Sequence, residues 1–393
     1  MLSFSVQSAA TVLDASKPPD NTAGIDVKLK SISSFVVSLM RFVPFELARV
    51  AALAVSLVCA ACGTPTTAPA GPSPEARATA KALGRGINFG NMLDAPREGD
   101  WGLSVEQAFV DLVGQPGFVQ HVRLPVRWSN HASADARAVI DPAFFERVDS
   151  VVQRLLDRGV VVIIDMHHYR QLDGDALDPA EFAVDPGVLE ARFLAMWRQI
   201  SQRYATHGPR LLFEVYNEPH GRLDEMWNAL LARAVAAIRE SNPTRVLVVG
   251  PTQWNSANAL PKLVLPNDPH LILTVHHYEP FGFTHQGTEW TQPPRPTGVD
   301  CCSVADQTLM LGLLDLAQSE AARLGGYPIY VGEFGAYEQA SAEARMRYIR
   351  VMRQALEQRG LPWAWWELAG GFGVYDRGLH RFNVDIRNAL YGP

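Results

Sequence analysis

Two glutamates stand at the ends of short apolar, β-prone runs: Glu218 closes LLFEVYNE and Glu333 closes PIYVGE. Hydrolysing a glycosidic bond needs an acid to protonate the leaving oxygen and a second carboxylate on the other side of the anomeric carbon. Two carboxylates at one site would meet that demand, and they would equally serve as salt-bridge partners with no chemistry. Other polar side chains follow apolar runs in the same way: Asn88 and Asn91, Arg123, His167 and His168, Asn217, Gln253 and Trp254, His276 and Tyr278, and Trp366. Alone, each is weak, since a histidine after a strand is more often structural than catalytic. Glu214 lies about 13 Å before Glu218 along a strand, too far to act on the same sugar, and reads as a buried charge needing a partner. Glu279 and Glu367 flank these groups and are expected to turn aside.

The elements that would position them alternate. Strand-like runs occur at 86–90, 121–125, 160–166, 211–216, 245–250, 271–276, 329–332 and 363–366, and runs such as VVVII suit parallel strands covered on both faces. Amphipathic segments lie between them. Asp141-Pro142 supplies a helix cap and a first-turn proline, with Phe144, Phe145, Val148, Val151, Val152, Leu155 and Leu156 forming one stripe; Asp185-Pro186 repeats the start. Eight alternations in roughly 310 residues predict an α/β fold, a (β/α)8 TIM barrel forming a single catalytic domain over residues 82–393, with its active site at the C-terminal strand ends. A doubly wound open sheet is the alternative, but no G-x-G-x-x-G follows the first strand.

Composition narrows the function classes. Of 393 residues 47% are hydrophobic and 19% charged, an ordinary globular balance, and the net charge of −6 gives no reason to expect a nucleic-acid partner. The four cysteines fall in two pairs, Cys59/Cys62 and Cys301/Cys302. Neither makes a disulfide framework, and the adjacent pair lacks metal-site spacing. From Met40, MRFVPFELAR precedes the apolar run AALAVSLVCAA, long enough for an export signal and too short to span a bilayer. Ala60-Ala61-Cys62 resembles a lipoprotein processing box, which would attach the chain to a membrane through lipidated Cys62; cleavage near Ala61 with free secretion is the alternative. Residues 1–39 precede the signal and read as a start assigned too early. Residues 63–81, rich in Pro, Thr and Ala, are expected to be a disordered tether. The localisation expected is therefore export: extracellular, outer-membrane-anchored or periplasmic.

Seven motifs in order carry a resemblance to glycoside hydrolase family 5, the retaining cellulase and mannanase family of TIM barrels. They are GRGINFGNMLDAP at 84–96, VRLPVRW at 122–128, IIDMHHY at 163–169, FEVYNEP at 213–219, TVHHYEPF at 274–281, YVGEFGA at 330–336 and WAWWELAGGFGVYD at 363–376. The resemblance implies that Glu218 is the acid/base and Glu333 the nucleophile. It implies that Asn217 donates to the sugar 2-OH, that Arg123 and Tyr278 hold the nucleophile, and that His167 and His276 surround the −1 sugar; His168 either joins them or points away, since of two adjacent positions only one need face inward. Trp366 would floor that sugar, with Asn91 and Asp94 binding hydroxyls farther along the cleft. Glu218 must then be protonated at first, and the charge of Glu333 is expected to raise its pKa.

The resemblance implies a β-linked polysaccharide or oligosaccharide as substrate, no cofactor and no metal, and a monomer. Within it, β-1,4-glucan is favoured over mannan, xyloglucan and mixed-linkage glucan, because the first motif and the loop EPFGFTHQGTEW look most like endoglucanases. Glu289 and Trp290 in that loop would serve distal subsites or simply form a lid. A metal-dependent hydrolase built on His167-His168 and His276-His277 is a rival that activity in chelator would exclude. A carbohydrate-binding protein without catalysis is a rival of another class, and retention of both glutamates argues against it.

Overall fold

The computed structural model describes residues 71–392, residue 292 excepted. The export signal at 40–62, with Cys59 and Cys62, and the first part of the tether lie outside the described residues. Among the described residues no helix is long and apolar enough to cross a membrane. Eight strands follow one another: β1 (Arg85–Asn88), β2 (His121–Leu124), β3 (Val161–Asp165), β4 (Leu211–Glu214), β5 (Leu247–Val249), β6 (Leu271–His276), β7 (Ile329–Phe334) and β8 (Trp363–Trp365). Every neighbouring pair is parallel, and Gly86 of β1 lies opposite Ala364 of β8, which closes the ring. The expected (β/α)8 barrel is the fold.

The longer helices are α1 (Pro74–Leu83), α2 (Gln107–Val113), α3 (Pro142–Asp157), α4 (Leu189–Arg203), α5 (Leu223–Arg239), α6 (Val304–Arg323), α7 (Ala342–Gln358) and α8 (Val384–Tyr391). In α3 the Asp141 side chain accepts from the Ala143 amide, satisfying one of the free donors of the first turn. Its predicted stripe is buried from Phe144 to Leu155, with Leu156 partly so. Asp185 starts a short 3-10 turn that runs into α4.

Two apolar layers result. One fills the space between strands and helices. The other lies inside the ring, where alternate residues Val161 and Ile163, Leu212, Val246 and Val248, Ile272, Tyr330 and Ala364 meet Ala80 and Leu83 of α1. That helix corrects the tether expected through residue 81. Its Ser73 cap accepts from the Ala76 amide, and the Ser73 amide donates to Pro269 O at 2.7 Å. Leu83 and Ala80 are apolar because they close the base of the barrel. The adjacent pair Cys301-Cys302, expected to stand apart from any disulfide framework, is joined to itself in the loop entering α6.

Candidate active site

Toward the C-terminal strand ends, the inward positions that were apolar become polar. Asn88, Arg123, Asp165 and Glu214 form the next layer, each fully buried. A buried guanidinium needs partners for five N–H donors. Arg123 donates Nε to Glu214 Oε2 at 2.7 Å and Nη2 to Glu214 Oε1 at 2.9 Å. It donates Nη1 to Glu333 Oε1 at 2.7 Å and to Asn88 Oδ1 at 3.0 Å, and Nη2 to Asn217 Oδ1 at 2.6 Å. Asp165 Oδ2 lies 2.9 Å from the same Nη2. Arg123, expected to hold the nucleophile, therefore sits beneath the rim with no exposure of its own. Because Asn217 accepts through Oδ1, its amide NH2 is left for the cleft.

Strict alternation in β7 would make Tyr330 and Gly332 face inward and Glu333 outward. The register skips one residue: Val275 pairs with Val331, then His276 with Glu333. This β-bulge re-aims Glu333 toward the barrel axis. Tyr278 Oη donates to its Oε2 at 2.8 Å, opposite the Arg123 contact. Glu218 comes four residues past β4, and its Oε1 lies 2.6 Å from His276 Nδ1, which is 3.6 Å from Glu333 Oε2. One carboxylate oxygen of Glu218 and one of Glu333 lie within 4.8 Å of each other. That spacing fits the roughly 5–5.5 Å of a retaining pair and not the 6.5–9.5 Å of an inverting one.

Burial pushes both carboxyls up, each to about 7. The cause at Glu218 is thus desolvation first, where the charge of Glu333 had been expected. With two acids this close, one proton near neutrality belongs to the pair. Arg123 and Tyr278 both donate to Glu333, so the charge is best held there and the proton on Glu218. Burial lowers His276 to about 4, so its ring is neutral.

His167 Nδ1 lies 2.8 Å from Asp165 Oδ2, an acceptor, so Nδ1 carries the proton and Nε2 is turned away from Asp165. Its ring is parallel to Trp366 at 5.8 Å, while His168 meets His167 edge-on at 4.3 Å and Trp101 at 5.7 Å. Trp101, His168, His167 and Trp366 thereby form a chain of ring contacts. Both adjacent histidines belong to it, because His168 takes a left-handed backbone with φ 50°. His277 does not join the four imidazoles of the metal reading: its Nε2 contacts Met310 O at 3.0 Å, behind the strand. Asp94 is fully buried, and its oxygens accept the Asn91 and Met92 amides at 2.9 and 2.7 Å. It shapes the loop after β1, where a hydroxyl-binding group had been expected.

Residues 82–371 match the family described as Cellulase (glycosyl hydrolase family 5). The chain belongs to glycosyl hydrolase family 5. It is 34% identical over 322 residues to Endoglucanase H of Acetivibrio thermocellus, covering 80% of this chain and 33% of that protein. The chain thus spans about a third of that relative's length. Two solved structures of Cel5A from Thermotoga maritima, one with cellobiose and one with mannotriose, are 39% identical to it. Each superposes with a TM-score of 0.75 over 81% of this chain and 100% of theirs.

In this family 5 hydrolase the structure adds groups that sequence reasoning set aside. Glu367 is fully buried beside Trp366, and Asn91 Nδ2 donates to its Oε2 at 2.5 Å. Burial raises it to about 8. Asp165 braces His167 and Arg123, and the alternation of β3 could have pointed to it, while Asn88, named among the strand-end groups, accepts from Arg123. Glu214 finds the partner it was expected to need, in Arg123.

Proposed function

We propose that the protein is a retaining endo-β-1,4-glucanase acting by double displacement. The observation that carries this is the Glu218–Glu333 pair, with oxygens within 4.8 Å and with cationic and phenolic donors on one member only. In the first step Glu333 attacks the anomeric carbon, while Glu218 gives its proton to the departing glycosidic oxygen. The C–O bond to the leaving sugar breaks as the glycosyl-enzyme ester forms. In the second step Glu218 takes a proton from water, whose oxygen displaces Glu333 and regenerates both groups. The free amide of Asn217 suits the 2-OH, and the Trp366 face suits the ring.

Glucan is favoured because similar chains are endoglucanases, while the mannotriose complex of Cel5A supports mannan as a second substrate. A screen on carboxymethylcellulose, barley glucan, xyloglucan and galactomannan, read as reducing ends released, tests the choice. Loss of glucan cleavage with binding retained would instead favour the carbohydrate-binding reading. NMR of the first product should show retained anomeric configuration, and inversion would overturn the double displacement. Export and attachment through Cys62 belong to the same proposal, supported by the sequence at 40–62. Mass spectrometry of the mature N-terminus, free or diacylated at Cys62, tests them.

A further inference from the structure

His220 lies two residues past Glu218, outside the groups assigned above, and its contacts are unusual. Nδ1 is 2.6 Å from the backbone carbonyl of Glu218 itself. Nε2 is 3.2 Å from Asp175 Oδ2. A carbonyl and a carboxylate can only accept, so both ring nitrogens must carry hydrogen, and only the imidazolium does that. Asp173 adds a second acid, with Oδ1 3.8 Å from Nδ1. The ring face is covered by the indole of Trp254, stacked at 4.6 Å and 19°, the geometry of a cation over an aromatic face.

The surroundings are built to hold this arrangement. Gln253, Trp254 and Asn255 are three successive non-glycine residues with φ between 54° and 59°, a costly backbone that persists only where neighbours impose it. The Trp254 amide donates to Pro219 O, and Asn255 Nδ2 donates to Asn217 O. From the other side, Arg222 N donates to Asp173 O at 2.7 Å, and a Cβ on Gly221 would lie 2.5 Å from that same oxygen. The loops after β3, β4 and β5 therefore interlock around His220. Trp254 nonetheless leaves 57% of its surface exposed.

We propose that His220, as an imidazolium, is a positioning residue that couples Glu218 to the loops after β3 and β5. This rests on the glycanase reading above. Asp173 and Asp175 reach His220 from the loop after β3, and Trp254 from the loop after β5. Glu218 in turn faces His276, Glu333, Arg123 and Asp165 from the other strands. Among the charges acting on Glu218, that of His220 is foremost in opposing the rise caused by burial. Burial works against the charge on His220 itself, and Asp173, the Glu218 carbonyl and Asp175 outweigh it.

Three variants of the full chain test this: His220→Gln, Asp175→Asn and Trp254→Ala. In His220→Gln the alkaline limb of kcat/KM on glucan should move up by about 0.5–1 pH unit, since Glu218 loses a cation that favours its ionised form. Asp175→Asn, at a more exposed position, should move the limb in the same direction by less. Trp254→Ala, which removes the aromatic face that covers the imidazolium, should also move the limb up, by less than His220→Gln. Limbs that stay in place while kcat falls would mean a merely structural role and overturn the proposal. Histidine-15N NMR separates this from the parent reading. At pH 7 the His220 ring should show two N–H groups, and a single one would end the proposal whatever the enzyme cleaves. Two N–H groups in a protein that cleaves no β-glycan would end the glycanase reading, and with it the influence of His220 on a catalytic acid.

Discussion

His276 pairs in register with Glu333, and Gly332, between Val331 and Glu333, is the residue that the pairing skips. Glu333 faces the cleft only because of that skip. A Cβ on Gly332 would lie 2.9 Å from Thr274 Oγ1 and 3.1 Å from His276 Nε2. Gly332→Ala should therefore displace His276 from its place between the two carboxyls, lowering kcat/KM about 10–100-fold through misplacement alone. Wild-type activity in a folded Gly332→Ala protein would show that the bulge tolerates a side chain and that this account of its role is wrong.

Removing Glu218, the proposed acid, should be felt unequally. Glu218→Ala should cost about 10²–10⁴-fold on glucan, whose sugar leaving group needs a proton, and far less on a dinitrophenyl cellobioside in the glycosylation step. Glu333→Ala should abolish both. Equal losses from Glu218→Ala on the two substrates would remove the acid role from that residue.

The contacts of Arg123 bear on pH dependence. With Glu333 needed as the anion, activity is lost as pH falls through its pKa, and the Arg123 donor holds that value down. Arg123→Lys keeps a charge but not the fork that reaches Glu214, Glu333 and Asn217 together. The acid limb of kcat/KM should shift to higher pH, with a loss of about 3 kcal/mol in stability from breaking a buried ion cluster. Urea unfolding and a pH profile of the same sample measure both, and an unmoved acid limb would contradict the assignment.

Glu367 makes a stability prediction of definite sign. Its carboxyl rises from 4.5 to about 8 in the folded protein, so the fold binds a proton that the unfolded chain releases between those values. Its contribution is complete below pH 4.5 and is lost as pH rises through 8. Glu367→Gln, which cannot ionise, should gain about 2–4 °C in Tm over wild type at pH 8.5 and nothing at pH 4.5. Calorimetry at the two pH values decides it, and a gain confined to the acidic value would reverse the argument.

The barrel and its two glutamates are legible in the chain itself. Near-continuous apolar runs, Asp-Pro helix starts and ordered motifs are local features, and eight such units leave few closed arrangements of parallel strands. The polar residues ending those strands could be named for the same reason. What the chain could not display was direction. Alternation would send Glu333 outward, and only pairing with β6 introduces the bulge that turns it in. Glu367 was set aside and Asp94 was assigned to the cleft, because a loop's path, unlike a strand's, has no period to read. The tether reading of 73–81 failed similarly, since the worth of Ala80 and Leu83 depends on a barrel base assembled from residues far along the sequence. Proton placement also belongs to the assembled molecule: Glu218 rises because neighbouring strands strip away its water, and burial is a property of the whole ring rather than of Asn-Glu-Pro.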